Sequence, residues 1–204
     1  SSASFSAAEN QTSIGTVTAT DVDTDNASIT FSISGSELSI TSGGVLTFAS
    51  TPDYETKSSY SATVTASDGT NSSTQDITVT VTNVNDNSPV FTSGAAFSVV
   101  ENQTGIGTIT ATDDDGDTLS FSLSGTDASS MSINSSSGVL VFDSAPDYET
   151  KTSYSATVTA SDGTNSTTQD ITITITDIDD TAPVFTSSAS FSAAENQTSI
   201  GTVT

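Results

Sequence analysis

From Ser59 to Ser67 the chain alternates, with Tyr60, Ala62, Val64 and Ala66 on one side and Ser61, Thr63, Thr65 and Ser67 on the other. From Thr74 to Val84 it does so again, Ile77, Val79 and Val81 against Thr78, Thr80 and Thr82. A period of two marks a strand with one dry face. Shorter runs of this kind fall at Phe5 to Ala8, Ile14 to Thr20, Ile29 to Ser34, Leu38 to Thr41 and Val45 to Phe48, with turn signals at Gly43-Gly44, Pro52-Asp53 and Asp68-Gly69. Seven short strands in succession predict an all-β fold, a seven-stranded Greek-key β-sandwich, and no helix is needed anywhere.

The pattern then repeats. Pro52 to Lys57 returns as Pro146 to Lys151, and Ser59 to Ser72 as Ser153 to Ser166. Glu9-Asn10-Gln11-Thr12 recurs at Glu101 to Thr104 and at Glu195 to Thr198, and the last 18 residues are identical to the first 18. The expected organisation is a window on a longer tandem array. It comprises one sandwich over residues 1-88, a second over 89-182, and the first strands of an incomplete third over 183-204.

Composition adds a constraint. Against 25 acidic residues stand two lysines, Lys57 and Lys151, for a formal charge of -23, a balance that repels nucleic acid and anionic lipid and favours cations. Cysteine, histidine and arginine are absent. No apolar run approaches the roughly 18 residues of a membrane span, so no membrane insertion is expected. Catalysis is not expected either, since the base, nucleophile and phosphate clamp that histidine, cysteine and arginine supply are all missing. Seven Asn-x-Ser/Thr sequons, at Asn10, Asn26, Asn71, Asn102, Asn134, Asn165 and Asn196, matter only in a host that glycosylates.

The acids stand where strands end, and the sandwich should gather them at its poles. Asp21, Asp23 and Asp68 belong to one pole, and Glu9, Asp53, Glu55 and Asp86 to the other or to the joint. Gathered carboxylates repel, and a divalent cation relieves the repulsion. Calcium suits an all-oxygen set of carboxylates, amides and carbonyls, whereas zinc and copper want histidine or cysteine. Asp113-Asp114-Asp115-Gly116-Asp117 has the look of an EF-hand loop, but its glycine is misplaced, Ser124 holds the twelfth position and no helices flank it. Asp76, Asp127, Asp143 and Asp170 read as solvated surface.

The joint itself is Asn83 to Phe91, Asn-Val-Asn-Asp-Asn-Ser-Pro-Val-Phe, with a sibling at Asp177 to Phe185. Its core, Asn85 to Phe91, resembles the linker signature of cadherin repeats. Glu9, Ala19-Thr20-Asp21-Val22-Asp23, Pro52-Asp53-Tyr54-Glu55 and Ala66-Ser67-Asp68 resemble that family's other motifs, in order and twice over, with Tyr54 where the family has arginine. The resemblance implies tandem immunoglobulin-like, cadherin-like sandwiches and about three calcium ions at the complete joint. Two would be held by Glu9, Asp53, Glu55, Asp86, the Val84 carbonyl and Asp115. A third would sit with Asn87, Asp113, Asp115, Asp162 and the carbonyls of Asn85 and Asp117. Partial sets are implied at the C-terminal joint (Glu101, Asp147, Glu149, Ile178, Asp179 and Asp180, with Thr181 in place of the linker asparagine) and at the N-terminal end (Asp21, Asp23, Asn26 and Asp68).

By the same resemblance the chain is a calcium-rigidified stalk or filament segment of a large extracellular, cell-surface adhesin. Its near-identical, cysteine-free copies look more like a bacterial cadherin-like adhesin than an animal receptor. Its partners would be calcium and adjacent copies of the same repeat. The alternative is an adhesive module that binds a partner cell, a glycan or a surface through the repeats themselves.

Overall fold

A computed structural model describes residues 3–22 and 29–204; Asp23 and Asn26, two of the expected ligands, lie outside the described residues. Among the described residues the first repeat contains seven strands: β1 Ser4–Ala8, β2 Ser13–Thr16, β3 Thr30–Ile33, β4 Leu38–Ile40, β5 Val45–Phe48, β6 Ser59–Ser67 and β7 Ser72–Thr82. They form two sheets, ordered β1-β7-β6-β3 and β2-β5-β4. The second repeat contains β8 Val90–Phe91, β9 Ala96–Val100, β10 Gly105–Thr108, β11 Ala111–Thr112, β12 Ser120–Ser124, β13 Met131–Ile133, β14 Val139–Phe142, β15 Ser153–Ser161 and β16 Ser166–Thr176. Its sheets are ordered β9-β16-β15-β12 and β10-β14-β13, with β8 and β11 paired beside them. Among the described residues the one helical segment is a single 3-10 turn at Ala128–Ser130.

The alternating pattern sets the faces. Ile77, Val79 and Val81 are at most 1% exposed, while Thr78, Thr80 and Thr82 between them face solvent. Each repeat has its own core: Leu46, Phe48 and Val64 with the β7 row in the first, and Leu140, Phe142 and Val158 with Ile171, Ile173 and Ile175 in the second. Tyr60 and Tyr154 close these cores edge-on to Phe48 and Phe142, at 5.1 and 4.8 Å between ring centroids.

Two pairings carry the ends of each sandwich to the joint. β1 runs parallel to β7, Ser4 opposite Thr78 through Ala8 opposite Thr82, so Glu9 emerges beside the linker. β2 ends at Thr16 rather than at Thr20, and its register against β5 shifts between Ser13 and Gly15. The Val17 N–H then donates to Gly44 O at 2.8 Å. Gly44 and Gly138 hold the corresponding β-turns with φ of +86° and +68°; an added Cβ would lie 2.2 Å from Val17 O and 2.1 Å from Ile109 O.

Residues 177–204 contain no strand, so the opening strands expected over 183-204 do not form as ladders. The reason is pairing: β1 and β9 each need the last strand of their own repeat, and the 204 residues hold no such strand for this segment. The segment nonetheless repeats local features of the second repeat's opening. Thr186 and Ser187 donate to Thr204 O at 2.8 and 3.2 Å, as Thr92 and Ser93 do to Thr110 O at 2.8 and 3.2 Å, and Asn196 has φ of 68° where Asn102 has 64°. Val184 and Phe185 are 81% and 78% exposed.

Candidate metal centre at the joint

The site starts from a buried acid. Glu9 follows β1 and is 3% exposed; its Oε1 accepts the Val84 N–H at 2.8 Å and its Oε2 the Tyr54 N–H at 2.7 Å. One carboxylate thereby pins the linker and the Pro52–Glu55 loop to the base of the first repeat. Asn10, in the left-handed region at φ 62°, turns its amide to donate to Asp86. The sequence gives no sign of that contact, since Asn10 stands there only in a recurring Glu-Asn-Gln-Thr run and a sequon.

From the other side, Asp115 reaches the linker from the loop after β11. Its Oδ2 accepts the N–H groups of Asp86 and Asn87 at 3.0 and 2.8 Å, its Oδ1 the Asn87 amide at 3.1 Å, and its carbonyl the Asn83 amide at 2.8 Å. The result is a cluster of Glu9, Glu55, Asp86 and Asp115 in which one oxygen from each lies within 4.8 Å of the others. A second cluster, sharing Asp115, joins Asp113 and Asp117 within the same distance. Asp117, expected to act through its carbonyl, enters with its carboxylate.

Two carboxylates expected as ligands, Asp53 and Asp162, stand outside these clusters. Both Asp53 oxygens serve the Glu55–Thr56 turn, accepting the Thr56 N–H and hydroxyl at 3.0 Å each. Asp162 Oδ1 accepts the Thr164 and Asn165 N–H groups at 2.6 Å each, while its Oδ2 is buried without a hydrogen-bond partner, as is Asp113 Oδ2. Buried carboxylate oxygens left without donors are costly, and a cation satisfies them. The donor set is oxygen only, hard and negatively charged, so it fits calcium.

Electrostatics follow the geometry. Burial raises the Glu55 carboxyl above its ordinary value, and the neighbouring charges of Glu9 and Asp115 push the same way. At Asp115 burial also works upward, but the hydrogen bonds from Asn87 and Asp86 outweigh it and hold the group below its ordinary value. Asp53 is held low by the Thr56 N–H and hydroxyl.

The C-terminal joint is a reduced version. Glu101, 1% exposed, accepts the Tyr148 and Ile178 N–H groups at 2.8 and 2.7 Å, and Asn102 donates to Asp180 at 2.6 Å. Glu101, Asp147 and Glu149 cluster; Asp179 and Asp180 are not in that cluster. At the N-terminal end Asp21 and Asp68 line one depression with Ala19, Thr20 and Asn71. The Asn71 and Thr70 N–H groups hold Asp68 below its ordinary value.

The four acids read as surface all take part in local bonds. Asp76 and Asp170 accept the Thr63 and Thr157 hydroxyls at 2.7 and 2.6 Å, and Asp143 accepts the Ser132 hydroxyl at 2.5 Å. Asp127 departs furthest from that reading: its side chain is 13% exposed, pairs with Lys151 and accepts the Ser155 N–H at 2.9 Å.

Residues 3–82 and 95–176 match the Cadherin domain family, and the chain belongs to that family. It is 35% identical over 193 residues to mouse Protocadherin Fat 4, covering 84% of this chain and 4% of that protein. It is 33% identical over 199 residues to the Drosophila melanogaster protocadherin-like wing polarity protein stan, covering 86% of this chain and 6% of that protein. The chain thus spans a small fraction of these relatives' length. Among solved structures it superposes on mouse Cadherin-23 EC22-24 with a TM-score of 0.78 at 26% identity, covering 98% of this chain and 73% of that one. Protocadherin gammaB7 EC3-6 superposes with a TM-score of 0.68 at 31% identity, over 79% of this chain and 44% of that one.

Proposed function

We propose that the chain is a calcium-stiffened structural segment of a large extracellular adhesion protein, a stalk or filament unit whose working part is the joint at Asn83 to Phe91. The observation that carries this reading is the four-carboxylate cluster drawn from both repeats and the linker between them. Glu9 and Glu55 belong to the first repeat, Asp86 to the linker and Asp115 to the second, so a cation held there ties three bodies together. Asp113, Asp117, Asp162 and Asn87 would complete a second oxygen cage, and about three ions at the joint follow from the family resemblance.

What the ion supplies is charge neutralisation. Without it the carboxylates repel across the joint; with it their repulsion becomes shared attraction. Extracellular calcium modules bind with dissociation constants on the order of 0.1 to 1 mM, so occupancy would follow the external medium. At a hundredfold excess over the dissociation constant each site adds about 2.7 kcal/mol of stability. The adjacent partners in this reading are further copies of the same repeat, and the location is outside the cell. Among the described residues no helix is long and apolar enough to cross a membrane.

Small-angle scattering of the 204-residue chain, with calcium and with chelator, tests it. The expected result is a longer, stiffer particle and a higher melting temperature with calcium, both reduced in Asp86→Ala. Scattering curves that coincide with and without chelator, in wild type and variant alike, would overturn the proposal.

A further inference from the structure

The turn after β6 and its counterpart after β15 share one sequence, Asp68-Gly69-Thr70-Asn71 and Asp162-Gly163-Thr164-Asn165. They also share internal bonds: Asp68 Oδ1 accepts the Thr70 and Asn71 N–H groups at 2.7 Å each, and Asp162 Oδ1 the Thr164 and Asn165 groups at 2.6 Å each. The asparagine side chains differ. Asn71 is exposed, whereas Asn165 is half-buried and its Nδ2 donates to Asn85 Oδ1 at 2.9 Å and to Asn87 O at 3.0 Å. A backbone carbonyl can only accept, so the bond to Asn87 fixes which end of the carboxamide faces the linker.

Between these two anchor points the Asp86 and Asn87 N–H groups both bond Asp115 Oδ2. The segment from Asn85 to Asn87 is therefore gripped from two loops of the second repeat by bonds that need no ion. We infer that Asn165 is a positioning residue: its carboxamide clasps the linker onto the second repeat ahead of cation binding, so that these two move as one body. The first repeat also reaches the linker, Glu9 at the Val84 N–H and Asn10 at Asp86, so the clasp adds the second-repeat side of the wall where Asp86 and Asp115 meet Glu9 and Glu55. Preorganisation of that wall raises the affinity for the ion.

Amide hydrogen exchange on the 204-residue chain in chelator tests the clasp, comparing wild type with Asn165→Asp, Asn165→Ala and, as a control for the turn itself, Asn71→Asp. The Asp86 and Asn87 amides should be protected in wild type and exchange about threefold to tenfold faster in both Asn165 variants, the loss expected for one or two neutral hydrogen bonds. Ile173 and Val158, in the core of the second repeat, should keep their protection, and Asn71→Asp should leave the linker unchanged. A calcium titration should show the midpoint weakened by a similar factor; this part rests on the calcium reading. Linker amides exchanging at unstructured rates in wild type, or remaining fully protected in Asn165→Ala, would overturn the inference. If Asn165→Asp loses core protection, Asn165→Ala decides. If no calcium binds, the calcium reading fails while the exchange data still judge the clasp.

Discussion

Glu55 of the first repeat and Asp115 of the second meet in one carboxylate cluster, and their titrations are driven apart. Burial, with the charges of Glu9 and Asp115, raises Glu55, whereas the N–H groups of Asn87 and Asp86 hold Asp115 low. An acid raised on folding takes up a proton with folding, so its contribution to stability falls as pH rises through its folded value. Asp115 acts in the opposite sense, stabilising above its ordinary range and losing that effect as pH falls through its depressed value. In chelator, a carboxyl titration by NMR should place Glu55 above an ordinary glutamate. Asp115→Asn should bring it part of the way back, and an unchanged Glu55 midpoint would count against the coupling.

Glu9 is a buried charge whose partners are backbone donors, so its removal strands two N–H groups. Glu9→Ala should cost about 2–3 kcal/mol in chelator, measured by denaturant unfolding of the first repeat's strands. Glu9→Gln keeps one acceptor oxygen and should cost less. Equal losses for the two variants would argue against this account.

Gly44 and Gly138 meet a carbonyl oxygen from the preceding strand region at a distance no Cβ tolerates. Gly44→Ala should destabilise the first repeat and Gly138→Ala the second, each by at least about 2 kcal/mol from left-handed strain plus overlap. Gly69, which also has positive φ but open space around it, should lose only about 1 kcal/mol on the same change. Calorimetry of the three variants separates the clash from the strain.

The two lysines sit in matching places but pair differently. Lys57 meets Glu37 with side chains 41% and 55% exposed, whereas Lys151 meets Asp127, whose side chain is 13% exposed. Glu37→Ala should change stability by less than about 0.5 kcal/mol. Asp127→Ala should cost about 1–2 kcal/mol, because it also strands the Ser155 N–H. The Lys151 hydrogen bond holds Asp127 below its ordinary value, so its stabilisation is present above the usual aspartate range and lost as pH falls through the depressed value. Unfolding curves of Asp127→Ala and wild type should converge on acidification.

Much of the joint was legible along the chain because its acids lie next to strand ends, and a strand's end is visible in the alternation that precedes it. Glu9, Glu55 and Asp86 stand at such ends, and Asp113 and Asp115 follow from the cadherin resemblance. Asp53 stands at such a position too, and its oxygens also accept the Thr56 N–H and hydroxyl, contacts inside one turn that spacing does not reveal. Asp127 reads as surface because it matches no ligand position of the cadherin motifs, and only the fold brings Lys151 and Ser155 onto it. Asn10 and Asn165 carried no signal beyond their sequons, since an amide becomes a clasp only when something is placed opposite.

The sequence by itself determined that the chain folds as strands, which face of the long ones is dry and how often the unit recurs, because the period of two and the repeat are properties of a linear chain. Tertiary structure decided which oxygens share a cage and which asparagine holds the linker. The physical reason is that hydrogen bonding and cation coordination act over a few ångströms in space, between Glu9 and Val84 or Asn165 and Asn87, residues more than seventy positions apart that only the folding of each sandwich brings together.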